Sequence, residues 1–204
     1  MFALVDKSDN SITKLLSGNQ GITIGDNQYP KAIFTIWTES ERNAINIYTV
    51  EIDNSKFKDQ QWYINTDITY SFDGTNATGS YGDATAKAHA DTKWTQSEID
   101  DGKAPEGADT NTVKEEGLKT ILIRNVKSQA EDELNRTDWY ITRKAEKDTA
   151  IPSSITTHRD AVRTKQAEME TEITNASDTP ALQTLYTSVD GNPRPIGSIP
   201  TLEV

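Results

Sequence analysis

Few side chains in this 204-residue chain are of the kind that performs chemistry, and their spacing decides how each is read. There are two histidines, His89 and His158, and no cysteine, which removes thiolate chemistry, disulfides and Cys-type zinc sites. His89 sits in the polar run KAHADTKW, a surface context. His158 sits near the apolar stripe of a long helical segment, where packing or capping is its expected role. The acid pairs Asp100-Asp101 and Glu115-Glu116 are chain neighbours, whereas a glycosidase pair must bracket a sugar across a cleft. The run SEIDDG (97–102) lacks the spaced oxygen ligands of a calcium loop. No G-x-S-x-G, phosphate-binding glycine loop, H-E-x-x-H or G-x-G-x-x-G run occurs. The expectation is a protein with no catalytic residues, no cofactor and no metal.

One segment stands apart: NRTDWYITRKAEKDTAIPSSITTHRDAVR, residues 135–163. Asp138 and Trp139 follow the end of one helical pattern, and Arg159 and Arg163, four residues apart, share one face of the next. Both arginines are within reach of Asp138 or of the carbonyls at the first helix's C-terminus near Leu134. Asp138 is expected to cap a turn while Trp139 folds back over the apolar stripes of both helices. On that reading Trp139→Ala costs about 3–5 kcal/mol, as for a large buried aromatic.

The elements that hold this segment give the fold class. Residues 1–90 read as β-rich. FALVD and SITKLL flank the turn KSDN, KAIFTIW (31–37) is a third strand, and Thr38 with Glu41 forms a capping box for a short helix over 39–45. NIYTVEID (46–53) has high strand propensity. QWYINTDITYSF (61–72) alternates, and Asp73-Gly74 turns it toward a return strand. Residues 91–111, acidic and containing glycine and proline, read as a linker. From 112 the pattern is helical. Leu118, Leu122, Val126, Ala130 and Leu134 recur every four residues, with Thr110 or Thr112 as cap. A second helix opens at Pro152 and runs to about Asn175, carrying Ile155, Val162, Met169 and Ile173. The seven-residue spacing of the first three suits either an intramolecular hairpin or the seam of a homotrimer. SDTPALQTLY starts a third, short helix, and the tail 189–204 is extended and proline-rich.

The expected architecture is therefore α+β: an N-terminal antiparallel β-rich unit over 1–90, a small sandwich or barrel, then an acidic linker (91–111), a helical hairpin with a short third helix (112–188) and the tail.

Charge narrows the partners. The chain carries a net −11. The C-terminal region mixes twelve Lys/Arg with fifteen Asp/Glu, so no basic footprint for nucleic acid exists. No apolar run approaches a membrane span, and FALVD is too short for a signal-peptide core. A mean hydropathy of −0.69 alongside four Trp and seven Tyr describes a folded, slender protein with much surface to offer partners. Trp37, Trp62, Tyr63, Tyr70 and Tyr81 offer one such use, stacking on a host surface glycan, against the alternative that they form the core face of strands.

The order of Thr137-Asp138-Trp139, a proline, and His158-Arg159 with Arg163 resembles the phage tail assembly chaperone-like domain of small tail-fibre-associated proteins of tailed bacteriophages. That family's T-D-W corresponds to Thr137, Asp138 and Trp139. Its Y-R-x-x-L-R corresponds to His158 through Arg163, with His for the usual Tyr and Val for Leu. The likeness covers roughly 115–188. IWTESERNAINIYTV (36–50) is similar, more loosely, to a stretch of related phage proteins, with Asn46 at a common glycine position. The resemblance implies a non-enzymatic interaction protein that binds phage tail or tail-fibre proteins. It implies residence in the virion tail, or in the host cytoplasm during assembly if the chain acts as a non-virion chaperone.

Overall fold

The computed structural model describes residues 1–202. The chain is α+β and divides into a unit of residues 1–85 and a unit beginning at Ala86.

The first unit is a nearly closed, barrel-like sheet. Strands β1 (Phe2–Asp6) and β2 (Ser11–Leu16) form the expected hairpin. In its turn the Asp6 carboxylate accepts the Ser8 N–H (2.8 Å), and Asn10 takes the left-handed conformation (φ 60°). A small ribbon follows, β3 (Ile22–Ile24) and β4 (Asn27–Tyr29), too short to show a period in sequence. Residues 31–37 are not the expected strand: Lys31–Phe34 is a 3-10 turn. Ile33 and Phe34 are neighbours and both buried, which a turn achieves and an alternating strand cannot. Helix α1 (Glu39–Ala44) carries the capping box of Thr38 and Glu41 and ends at Asn46, which is left-handed (φ 62°). Strand β5 (Ile47–Asp53) then enters the sheet.

The run 61–72 splits rather than forming one strand. Trp62 and Tyr63 are consecutive and both buried, and the Asn65 amide bonds back to the Lys58 N–H and C=O at 2.9 and 2.7 Å. Only β6 (Tyr63–Ile64) and β7 (Thr69–Phe72) remain extended. After the Asp73-Gly74 turn comes β8 (Ala77–Ser80); β9 (Thr85–Ala86) lies at the unit boundary. The sheet order is β2-β1-β5-β8-β7, antiparallel except that β5 and β8 run parallel, and the edge strands β2 and β7 curl toward each other. Two cores explain why β5 does not alternate simply. Tyr48 and Val50 face Ala3, Val5, Phe72 and Ala77, while Ile47 faces Leu16, Ile22, Ile33 and Phe34.

In the second unit, residues 91–111 are not a bare linker. Strands β10 (Thr92–Lys93) and β11 (Val113–Glu115) pair, and the excursion between them holds helix α2 (Gln96–Asp100) with its own capping box, Thr95 and Glu98. Lys114 pairs with Glu98 and lies over the Trp94 ring, tying α2 to β11. That ion pair, with the Thr95 N–H and hydroxyl, pulls the Glu98 carboxyl down to about 2.

Four helices follow: α3 (Leu118–Asn135), α4 (Asp138–Lys147), α5 (Ser153–Asn175) and α6 (Thr179–Tyr186). Helix α3 starts later than its expected caps, because residues 88–91 satisfy its first amides. Ala88 and His89 carbonyls accept from Leu118 and Lys119 at 2.9 and 3.0 Å, and the Asp91 carboxylate accepts from Gly117 at 2.7 Å. Helices α3 and α5 form the hairpin. Leu118, Leu122, Val126 and Ala130 of α3 and Ile155, Val162, Met169 and Ile173 of α5 are buried. The seven-residue stripe is thus buried inside the chain, as the intramolecular hairpin requires. The tail returns over the helices: Ile196 and Ile199 are buried, and Ile196 N–H donates to Leu185 C=O at 3.0 Å.

Candidate functional site

The corner between α3 and α5 gathers most of the motif residues. Thr137 is completely buried, and its hydroxyl donates to the Leu134 carbonyl at 2.9 Å, closing the end of α3. The same hydroxyl oxygen accepts from Arg159 Nη1 at 2.7 Å. That nitrogen also reaches Leu134 C=O (2.9 Å) and Asp138 Oδ1 (2.8 Å). Arg159 therefore reads the orphan carbonyl of one helix and the first carboxylate of the next, the two places where a cation at a helix junction is most stabilised. Arg159 is buried and Asp138 is 53% exposed, so this ion pair is open to water on one side.

A second cluster lies beside it. His158 Nε2 is 3.0 Å from Glu133 Oε1. Arg136 Nη1 donates to both Glu133 oxygens (2.8 and 3.1 Å), and the Leu202 N–H donates to Oε1 at 2.6 Å. Burial pushes the Glu133 carboxyl up, but the Leu202 N–H, Arg136 and His158 outweigh it and hold it below its ordinary value. The tail is thereby latched to α3. A cavity of about 280 Å³ flanks the latch, lined by Gln129, Asp132, Glu133, Arg136, Ile199 and Thr201 among others.

Two motif residues stay outside the corner. Arg163, one turn beyond Arg159, is exposed and pairs with Asp160 at 3.3 Å. Trp139 does not fold back as a clasp: it is 51% exposed, because α4 continues straight from Asp138 and points this position outward. Its ring lies against Tyr140 (centroids 3.7 Å), and the Arg143 guanidinium sits over both rings at 4.8 and 5.2 Å.

The arrangement positions helices against one another. Among the described residues, Arg159 Nε is buried without an acceptor. Among the described residues, no group of three or more His, Asp or Glu is placed to hold a metal, and no helix is long and apolar enough to cross a membrane. Of the aromatics in the first unit, Trp62 and Tyr63 are buried and Tyr70 packs on the core; Phe57 and Tyr81 stack at 5.0 Å, with Phe57 exposed.

Glu133, Tyr140, Arg143 and Leu202 were not singled out from sequence. Only Glu133 left a signal there, as an acid three residues beyond Ala130 on the core-facing side of α3. No family model, curated protein or solved structure matches this chain.

Proposed function

We propose that the protein is a non-enzymatic interaction protein of a bacteriophage tail, a virion component that binds tail or tail-fibre proteins through its helical unit. The observation that carries this reading is the use of Arg159, Thr137 and Asp138. They set the start of α4 while α4 buries none of its own residues. A helix fixed rigidly at one end, with Trp139, Tyr140 and Arg143 stacked outward, has the composition of an interface hot spot. Mechanism then means surface complementarity, with aromatic and arginine anchors supplying most of the energy.

Two further observations support the phage assignment. Thr137, Asp138 and Arg159, which match parts of the family's T-D-W and Y-R pattern and lie far apart in sequence, meet at the junction of α3 and α4, while Trp139 faces outward. Asn46, at the family's common glycine position, has φ 62°, a conformation that glycine adopts freely and asparagine tolerates.

The test is quantitative mass spectrometry of gradient-purified particles beside infected-cell lysate. A copy number in particles that matches a tail symmetry supports the virion reading. Abundance in lysate with absence from particles replaces it with a cytoplasmic tail-fibre assembly chaperone using the same surface transiently.

A further inference from the structure

Trp139, Arg143 and Lys147 follow one another at four-residue intervals along α4 and so form a stripe on one face. Ile141, on the same helix, is 43% exposed. Arg143 has no ion-pair partner among the described residues, and its Nε is shielded from solvent without an acceptor. An aromatic centre with an unsatisfied guanidinium calls for an apolar contact ringed by carboxylates.

The same unit carries such a surface at the other end of α3. The excursion between β10 and β11 presents Val113, 42% exposed, and half-buried Trp94. The same excursion carries the exposed acids Asp100, Asp101 and Glu106; Asp101 pairs with Lys103, and Lys114 lies over one face of the Trp94 ring. Residues 91–111 hold six acids and two lysines. The excursion enters α3 at Leu118 and α4 leaves it at Asn135, so an 18-residue helix, roughly 27 Å at 1.5 Å per residue, separates the two surfaces. Among the described residues no hydrogen bond or ion pair joins them.

We infer that α4 of one copy docks on the acidic β10–β11 excursion of a second copy. Trp139 and Tyr140 would lie against Val113 and Trp94, and Arg143 and Lys147 would face Asp100, Asp101 and Glu106. Because the complementary surfaces sit at opposite ends of α3, two antiparallel copies can exchange both contacts about a two-fold axis, or a single contact can repeat head-to-tail as a ring or filament. The inference rests on the reading of α4 as a partner-contacting helix but not on the phage assignment.

Sedimentation equilibrium of the full chain tests it. At about 100 μM and low salt the mass should exceed the 22.6 kDa of one copy, and salt should lower it, since exposed charge pairs are screened. Arg143→Glu alone and Asp100→Lys with Asp101→Lys should each weaken association by about tenfold or more, and an equimolar mixture of the two variants should associate again. Circular dichroism confirms that each variant is folded. A monomer under all these conditions, an oligomer that either reversal leaves unchanged, or a mixture that stays dissociated overturns the inference. A monomeric chain whose Trp139→Ala variant is nonetheless lost from particles would overturn self-association alone and leave the tail-protein reading standing.

Discussion

Arg159 and Thr137 share a 2.7 Å hydrogen bond with both residues buried, and through it the start of α5 holds the point where α4 begins. Thr137 passes the contact on to the Leu134 carbonyl, so three chain segments are locked by one guanidinium nitrogen and one hydroxyl.

Removing that guanidinium leaves the buried Thr137 hydroxyl oxygen without its donor and takes one of the donors from the Leu134 carbonyl, which keeps the Thr137 N–H and hydroxyl. Arg159→Ala should cost about 2–4 kcal/mol in urea unfolding. Asp138→Asn should cost less than about 1 kcal/mol, because Asp138 is half exposed and its ion pair is screened. Equal losses would place the energy in the ion pair instead of in the bonds to Thr137 and Leu134.

Trp139→Ala should change stability by less than about 1 kcal/mol, since half the side chain already meets water. A fall in melting temperature like that of a core aromatic would restore the buried-clasp expectation.

The tail latch should be sensitive to acid. The Glu133 carboxyl is held below its ordinary 4.5 when folded, so the folded chain keeps it ionised where the unfolded chain protonates it. Its contribution is complete above the unfolded value and is lost as pH falls through the lower folded one. Hydrogen exchange at the Leu202 amide should therefore accelerate as pH falls below the ordinary carboxylate range, beyond the intrinsic pH trend. Glu133→Gln should remove that step; an unchanged profile would show that the Leu202 contact does not depend on the carboxylate charge.

Gly117 permits a close backbone approach. A Cβ there would lie 2.2 Å from the Ala90 carbonyl carbon, so Gly117→Ala must separate α3 from the segment that caps it. A loss of about 2–4 kcal/mol is expected. A neutral result would mean that residues 88–91 do not hold the start of α3.

What could be read from sequence follows from where apolar residues point. Helix α1 was legible from Thr38 and Glu41, and α5 from Pro152 and its stripe, because those signals are local. Helix α4 was not, since Trp139, Tyr140 and Ile141 form no inward stripe and the helix buries nothing. The tail concealed its role because Ile196 and Ile199 are isolated among prolines and glycines, yet both are buried. The reach from Arg159 to Asp138 and Leu134 was legible from spacing. Glu133 left only its place on the core-facing side of α3; its role as a latch shows once Arg136, His158 and Leu202 are seen to surround it.

The central claim is that Arg159 holds α4 out so that Trp139 meets a partner. The most direct measurement is the copy number of the Trp139→Ala chain in purified particles, relative to the unmodified chain. The account predicts a stably folded variant that is largely missing from particles. A variant incorporated at the unmodified copy number would contradict it.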